Sequence, residues 1–484
     1  MTKTSLFSKT DISNLYWMVG SEFVTRLSKI ITISLFIRIL GAEQFGLYSS
    51  AIALIAMLGF VLDFGLGISV LKILGQREES KDLIVSIFLV KLIYIILVTL
   101  LMLIVKETYL AHEVEEVLLL VFLWYIINEV LALIFLVLRA QGKAKEEVNI
   151  RVVYSTVTPL ALIAIAALDF IDFRSVIFSQ ILCQALTLGY VGFMVVNKYG
   201  PNRLEFKISK IAQSLKLIFS HSVSFGPLNS IIMLFSAMEA FLISQFYSHE
   251  LMGNYSVAMR VLMIMQIPVI ILVPAMYRMM YENEDRNIIS GEKYSLTFKL
   301  TFFFSIGLSI FAFQRSSLLT EVLAGKGFSE SAVILKCLAI GLPGYYMFPL
   351  FTQALIMINA NKLLFVIYSI FISALVGALT YASIMDYSIG FSCVLIAVNF
   401  NLLATILGVI CLKHRIFYLD KSWFSIRVLA IFIFLNFGLN HFNGLSLGHI
   451  LATIIISMFG MLFGILEIVH QTRGLKLNFL RVFR

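Results

Sequence analysis

The sequence predicts an all-helical polytopic membrane protein. Its 484 residues are 60% hydrophobic and only 13% charged, and the mean hydropathy is +0.96. Apolar stretches of roughly twenty residues, the length of a membrane-spanning helix, follow one another from residue 12 to about residue 467. Such a composition lies far outside that of soluble proteins and leaves no segment for a sizeable water-soluble domain.

Apolar runs between charged or polar breaks predict fourteen spans. Twelve form a core, and the last pair is set apart because the thirteenth span is short and carries Arg427 in its first turn. The predicted spans are 12–40, 46–73, 83–105, 117–138, 152–168, 175–196, 218–245, 253–277, 294–314, 331–357, 363–384, 387–412, 424–439 and 446–468.

The basic residues predict the orientation of the chain. Of the 37 Lys and Arg residues, the loops assigned to the outside hold only Lys106, Arg174, Arg315 and Lys326. Because Lys and Arg stay on the cytoplasmic side of short loops, both termini are expected in the cytoplasm. The net charge of +9 therefore reflects the orientation of the chain in the membrane and does not indicate nucleic-acid binding.

A repeated motif indicates an internal duplication. The loops after spans 1 and 7 share the pattern E-x-x-G-x-Y-S-x-A, which begins at Glu43 and again at Glu250, 207 positions later. Six spans separate the copies, so both have the same orientation, as a parallel duplication of six-helix bundles would leave them. Two such bundles are expected to meet around a central cavity and to open it to each side in turn.

The duplication predicts four parts of the chain. A basic connector that contains Gly200-Pro201 interrupts the hydrophobic pattern between the two bundles. The parts are an N-terminal six-helix bundle at 1–197, a cytoplasmic connector at 198–216, a C-terminal six-helix bundle at 217–412, and an additional helix pair with a cytoplasmic tail at 413–484.

The stretch from Phe36 to Tyr48, followed by Leu62-Asp63-Phe64-Gly65-Leu66-Gly67, resembles the opening of the Wzx-type bacterial polysaccharide flippases. These proteins belong to the multidrug/oligosaccharidyl-lipid/polysaccharide exporter superfamily. The segment Gly325-Lys326-Gly327-Phe328 is a further likeness, and the duplication extends the resemblance across most of the chain.

The resemblance implies transport and not catalysis. The implied substrate is an oligosaccharide repeat unit, of O-antigen, lipopolysaccharide or capsule, linked to undecaprenyl diphosphate. It would move from the inner to the outer leaflet of the bacterial inner membrane, where a polysaccharide polymerase and a chain-length regulator are possible partners. No cofactor is implied.

A diphosphate that crosses the membrane needs cationic partners, because burial of its charge is otherwise costly, and Arg fits phosphate oxygens. Glu22, Arg26 and Lys29 lie at i, i+4 and i+7 on one face of span 1. The predicted substrate-binding residues are Arg26, Lys29, Arg260 and Lys91. The alternative is that Arg26 pairs with Glu22 or Asp63, and Lys91 with Glu129, in structural ion pairs.

Acidic residues inside spans could couple transport to a gradient of protons or Na⁺. Asp63 and Glu129 are the better candidates because they lie deep in their spans, and Glu22 and Glu239 complete the predicted set. Proline kinks a helix, so Gly226-Pro227 in span 7 is a candidate hinge, although an irregularity of packing is an equal alternative.

Other classes are less consistent with the sequence. No P-loop motif for an ATP-driven pump is present, and no long outer loop offers the catalytic residues of a polymerase. A multidrug exporter would favour carboxylates over the basic residues of spans 1 and 8. The four cysteines lack metal-site spacing and are interpreted as packing residues, so no metal site or disulfide is expected: Cys183, Cys337, Cys393 and Cys411.

Overall fold

The computed structural model describes residues 9–76, 81–109, 112–141, 143–167, 173–199, 208–268 and 291–414, and the regular structure in these ranges is helical throughout. The helices are α1 (Lys9–Asp63), α2 (Leu66–Gln76), α3 (Lys81–Tyr109), α4 (His112–Ala140), α5 (Ala144–Ala167), α6 (Phe173–Tyr199), α7 (Ile208–Phe246), α8 (His249–Met265), α9 (Gly291–Gln314), α10 (Ser316–Ala324), α11 (Ser331–Ala339), α12 (Leu342–Met357), α13 (Asn361–Ile384) and α14 (Ile389–Lys413).

The predicted all-helical polytopic fold is confirmed. In the described ranges, eight helices are long and apolar enough to cross a membrane, or ten if each of two bent pairs is one span. α1 covers the whole of predicted span 1 and most of span 2, because the chain remains helical on both sides of Gly41. That glycine has φ 71° and ψ 179°, so it kinks the helix at the predicted boundary.

Three segments differ from the sequence prediction. Predicted span 2 is broken at Phe64-Gly65, between α1 and α2. Predicted span 10 is two helices, α11 and α12, bent by 50°. The expected outer loop at 315–330 is largely helical, because α10 follows α9 at an angle of 77°. Hydropathy did not reveal the breaks in spans 2 and 10, since the residues on both sides of each are mainly apolar, whereas the end of α9 at Gln314 coincides with the predicted end of span 9.

Predicted spans 13 and 14 lie outside the described residues, as does the end of span 8 beyond residue 268. The described residues form two compact units. The first comprises the described residues up to Ser256 with the short segments Ala324–Phe328 and Tyr368–Ile372, and the second comprises the remainder. The four parts that the duplication predicts stay a prediction.

Each unit has an apolar core of its own. In the first unit, α2, α3, α4 and α7 share a cluster that includes Leu66, Ile87, Val137 and Ile218, all buried. In the second unit, α12 packs along α14, where the rings of Tyr345 and Phe400 stack with centroids 4.0 Å apart. α7 thus packs with the N-terminal helices.

Candidate functional site

The break in span 2 is the centre of the candidate site, and a glycine ends the first helix there. α1 ends at Asp63, and Gly65 has φ 72°, in the left-handed region that favours glycine. A helix that stops inside an apolar span leaves backbone carbonyl and amide groups without helical partners. Since hydrocarbon cannot bond such groups, the protein has to supply their partners.

The carboxylate of Asp63 supplies one of these partners. Its Oδ1 accepts a hydrogen bond from the Gly67 backbone N–H at 3.0 Å, which satisfies an amide in the first turn of α2. Its Oδ2 accepts a hydrogen bond from Asn229 Nδ2 on α7, also at 3.0 Å. Asp63 therefore connects both sides of the break to α7.

Lys91 satisfies the backbone on the other side of the break. Its ammonium group donates to the Leu62 carbonyl at 3.0 Å and to Glu129 Oε2 at 2.7 Å. The Lys91 side chain is 5% exposed and that of Glu129 is 21% exposed. A charge buried to this extent needs a partner, and Glu129 supplies one from α4. The ion pair left open as an alternative in the sequence analysis is therefore present.

The candidate hinge packs directly against the break. A Cβ atom on Gly65 would lie 2.7 Å from the Gly226 backbone nitrogen, and one on Gly226 would lie 2.6 Å from the Phe64 ring. Pro227 follows inside α7, which is helical from Ile208 to Phe246. The two glycines thus let the backbone of the break approach the backbone of α7.

The remaining acidic and basic candidates lie elsewhere. Glu239 is 3% exposed on α7, whereas Lys29 is exposed on α1. Arg260 lies half-buried on α8 in the second unit, with Nη1 3.9 Å from Met263 Sδ. Glu22 and Arg26 belong to α1, but their side chains lie outside the described residues.

Asn229 is the participant that sequence reasoning missed. A single amide in an apolar span can bond between helices, and this was the available signal. A second buried polar contact joins α5 and α6, where the Gln184 amide lies 3.1 Å from the Tyr154 hydroxyl. Among the described residues, no group of three or more His, Cys, Asp or Glu side chains could hold a metal ion.

The sequence of residues 12–284 matches a family described as "Polysaccharide biosynthesis protein". This match covers more than half of the chain. The chain belongs to this family. No curated protein sequence matches the chain.

Solved structures of membrane transporters and of a flippase share the fold of this chain. The lipid II flippase MurJ in an inward closed conformation is 13% identical, with TM-score 0.70 over 94% of this chain and 99% of that one. An inward-facing multidrug resistance MATE transporter of the MOP superfamily is 14% identical, with TM-score 0.64 over 82% and 98%. A MOP superfamily transporter from Pyrococcus furiosus is 16% identical, with TM-score 0.51 over 82% and 96%.

Because these sequence identities are low, the solved structures establish only the fold of the chain. The protein is therefore a multi-pass membrane protein of the polysaccharide biosynthesis family with the fold of MOP superfamily transporters. At this coarse level the matched structures are transporters and a flippase, and not enzymes.

Proposed function

We propose that the protein is a Wzx-type flippase. It moves undecaprenyl-diphosphate-linked oligosaccharide repeat units from the inner to the outer leaflet of the bacterial inner membrane, and both of its termini face the cytoplasm. The observation that carries the proposal is a membrane helix broken beside ionisable side chains, in a chain of the polysaccharide biosynthesis family. Discontinuous helices of this kind form the substrate and ion sites of transporters.

The cationic residues that bind the diphosphate of this substrate are Arg26, Lys29 and Arg260. Arg is suited to this role because its planar group donates two parallel hydrogen bonds to phosphate oxygens. Lys91 is less available for substrate, because its ammonium group already bonds the Leu62 carbonyl and Glu129. We therefore assign Lys91 to the support of the site.

Asp63 is the residue that couples transport to an ion gradient. Its carboxylate bonds the break in span 2 and Asn229 of α7. Protonation, or binding of a cation, would change the charge of a group that holds these two helices together. Gly226 and Pro227 give α7 a place to bend beside that group, so a change of charge alters the balance between two conformations of α7. Glu22, Glu129 and Glu239 are the secondary candidates.

Deletion of the gene in a bacterium that produces the protein tests the proposal. We expect undecaprenyl-diphosphate oligosaccharides to accumulate in the inner leaflet and the surface glycan to be lost. Wild-type protein should restore export, whereas Arg260→Ala should not and Arg260→Lys should restore it in part. Arg174→Ala, at an exposed position at the start of α6, is the matched control and should restore export fully.

A multidrug exporter is the second candidate, because MATE transporters have the same fold. If the protein is such an exporter, the same gene deletion should have a different effect on the cell. The surface glycan would be unchanged and sensitivity to organic cations would rise. That outcome would contradict the flippase and support the exporter.

A further inference from the structure

The two copies of the E-x-x-G-x-Y-S-x-A motif have the same pattern of burial. The glutamates that begin the copies, Glu43 and Glu250, are both exposed. The glycine, tyrosine and serine positions are buried in both copies: Gly46, Tyr48 and Ser49 in the first, and Gly253, Tyr255 and Ser256 in the second. Equivalent positions thus occupy equivalent environments, although the copies lie 207 residues apart.

The two copies also contact each other through backbone atoms, within the first unit. A Cβ atom on Gly46 would lie 1.6 Å from the His249 carbonyl oxygen, and one on Gly253 would lie 2.0 Å from the Ala42 carbonyl oxygen. His249 is the equivalent of Ala42 after the same shift of 207 positions. One contact is therefore made twice, with the roles of the copies exchanged, as in a two-fold interface.

Only glycine permits this approach at either position. Because glycine has no side chain, two helices can come close enough for Cα–H···O contacts between their backbones. Behind the contact, the ring of Phe36 lies 4.6 Å from that of Tyr48, and Phe45 lies edge-on to Phe328 at 6.4 Å. These rings fix the first motif copy in place.

The contact is also suited to repeated opening. The Gly46 and Gly253 contacts are backbone contacts without a side-chain ion pair, and Cα–H···O contacts are individually weak. Its separation therefore leaves no charge exposed to an apolar environment. The ion pair of Lys91 and Glu129 differs, because separation would leave buried charges without partners.

We propose that the motif copies form a glycine clasp, defined as the contacts of Gly46 with His249 and of Gly253 with Ala42, which closes one end of the transport path. The basic residues predict that this end faces the outside. The clasp opens and closes once in each cycle. The proposal rests on the alternating access of the proposed function, and it assigns a role to the duplicated motif.

Alanine substitutions test whether the close approach matters. In Gly46→Ala and Gly253→Ala the added methyl group would overlap a carbonyl oxygen, so the clasp cannot close. We expect a roughly tenfold or greater loss of export at normal membrane abundance, since overlap of this kind costs enough to change a rate by that factor. Gly189→Ala and Gly192→Ala are matched controls, because nothing lies within 4 Å of a Cβ atom there. Export equal to that of the controls would overturn the clasp.

A crosslink provides a test that does not depend on how well the alanine variants fold. Glu43→Cys and Glu250→Cys are exposed and adjacent to the contacting carbonyls. They would be combined in a background in which the four native cysteines are replaced by serine, and joined with a short bismaleimide. We expect a high yield of crosslink and complete loss of export, whereas each single-cysteine protein should be labelled and remain active.

The outcomes separate the clasp from the proposed substrate. Export that continues in fully crosslinked protein would overturn the clasp and leave the flippase assignment standing. If the crosslink instead stops efflux of an organic cation, and the uncrosslinked protein moves no lipid-linked glycan, the clasp is supported and the flippase assignment fails. Failure of the two cysteines to crosslink in native membranes would also overturn the clasp.

Discussion

Two of the helix breaks, one in each unit, leave equivalent backbone groups that are satisfied by side chains of different chemistry. At the α1–α2 break, the Leu62 carbonyl accepts from the Lys91 ammonium and the Gly67 N–H donates to the Asp63 carboxylate. At the α11–α12 break, one neutral side chain serves both groups. Asn401 donates to the Ile340 carbonyl at 3.0 Å and accepts from the Gly344 N–H at 2.8 Å.

The difference shows which break is suited to a switch. A neutral amide bonds both groups with no desolvation of charge and keeps the same bonds at any pH, so the α11–α12 break is structural. Charged side chains are costly to keep in a membrane and persist where they have a function. They can also lose their charge when a proton or a cation binds. We therefore expect the α1–α2 break, and not the α11–α12 break, to respond to an ion gradient.

Removal of Lys91 should have the largest effect on stability. Lys91→Ala leaves Glu129 without its partner and the Leu62 carbonyl without its donor, and loss of one member of a buried pair costs about 3–5 kcal/mol. Thermal unfolding of the purified protein in detergent measures this loss. Lys210→Ala, at an exposed position on α7, should shift the free energy of unfolding by less than about 0.5 kcal/mol. Equal effects of the two variants would show that the ion pair does not support the break.

Glycine substitution should separate backbone conformation from close packing. Gly65→Ala combines a positive φ with a clash against Gly226, so about 1–2 kcal/mol of backbone strain is added to about 1–3 kcal/mol of overpacking. Gly325→Ala has a similar φ of 82° but nothing within 4 Å of the added atom, so only the strain remains. In thermal unfolding, Gly65→Ala should therefore have a lower melting temperature than Gly325→Ala. The reverse order would mean that the break does not pack closely on α7.

The neutral break should affect stability without affecting transport. Asn401→Ala leaves the Ile340 carbonyl and the Gly344 N–H without side-chain partners, which costs about 1–3 kcal/mol. The transport rate for each folded molecule should stay at the wild-type level, because no charge is lost. Transport normalised to the folded protein measures this. If Asn401→Ala stops transport in a well-folded protein, the distinction between the two breaks is wrong.

The fold could be predicted from the sequence because span length and hydropathy are set by the membrane itself. The breaks could not. Apart from Asp63, the stretch from Leu62 to Gly67 is apolar, and the positive φ of Gly65 marks where the helix stops. Glycine is common in membrane helices, so its presence alone did not indicate an end.

The candidate site was predictable in part. Lys91 and Glu129 were recognised as opposite charges in successive spans, and their pairing was one of two alternatives. Asn229 and Asn401 were missed, because an amide in an apolar span shows neither its partner nor its orientation. The motif glycines were found by repetition, but their mutual contact depends on how the helices are arranged in space.

The most direct test of the central claim is flipping by the purified protein in liposomes. A fluorescent undecaprenyl-diphosphate saccharide is followed by quenching from outside, with and without an imposed proton or Na⁺ gradient. We predict that one of these gradients accelerates flipping by the wild type, that Asp63→Asn abolishes the acceleration while folding normally, and that the exposed Asp386→Asn behaves as the wild type. Flipping by Asp63→Asn with full dependence on the gradient would contradict the account.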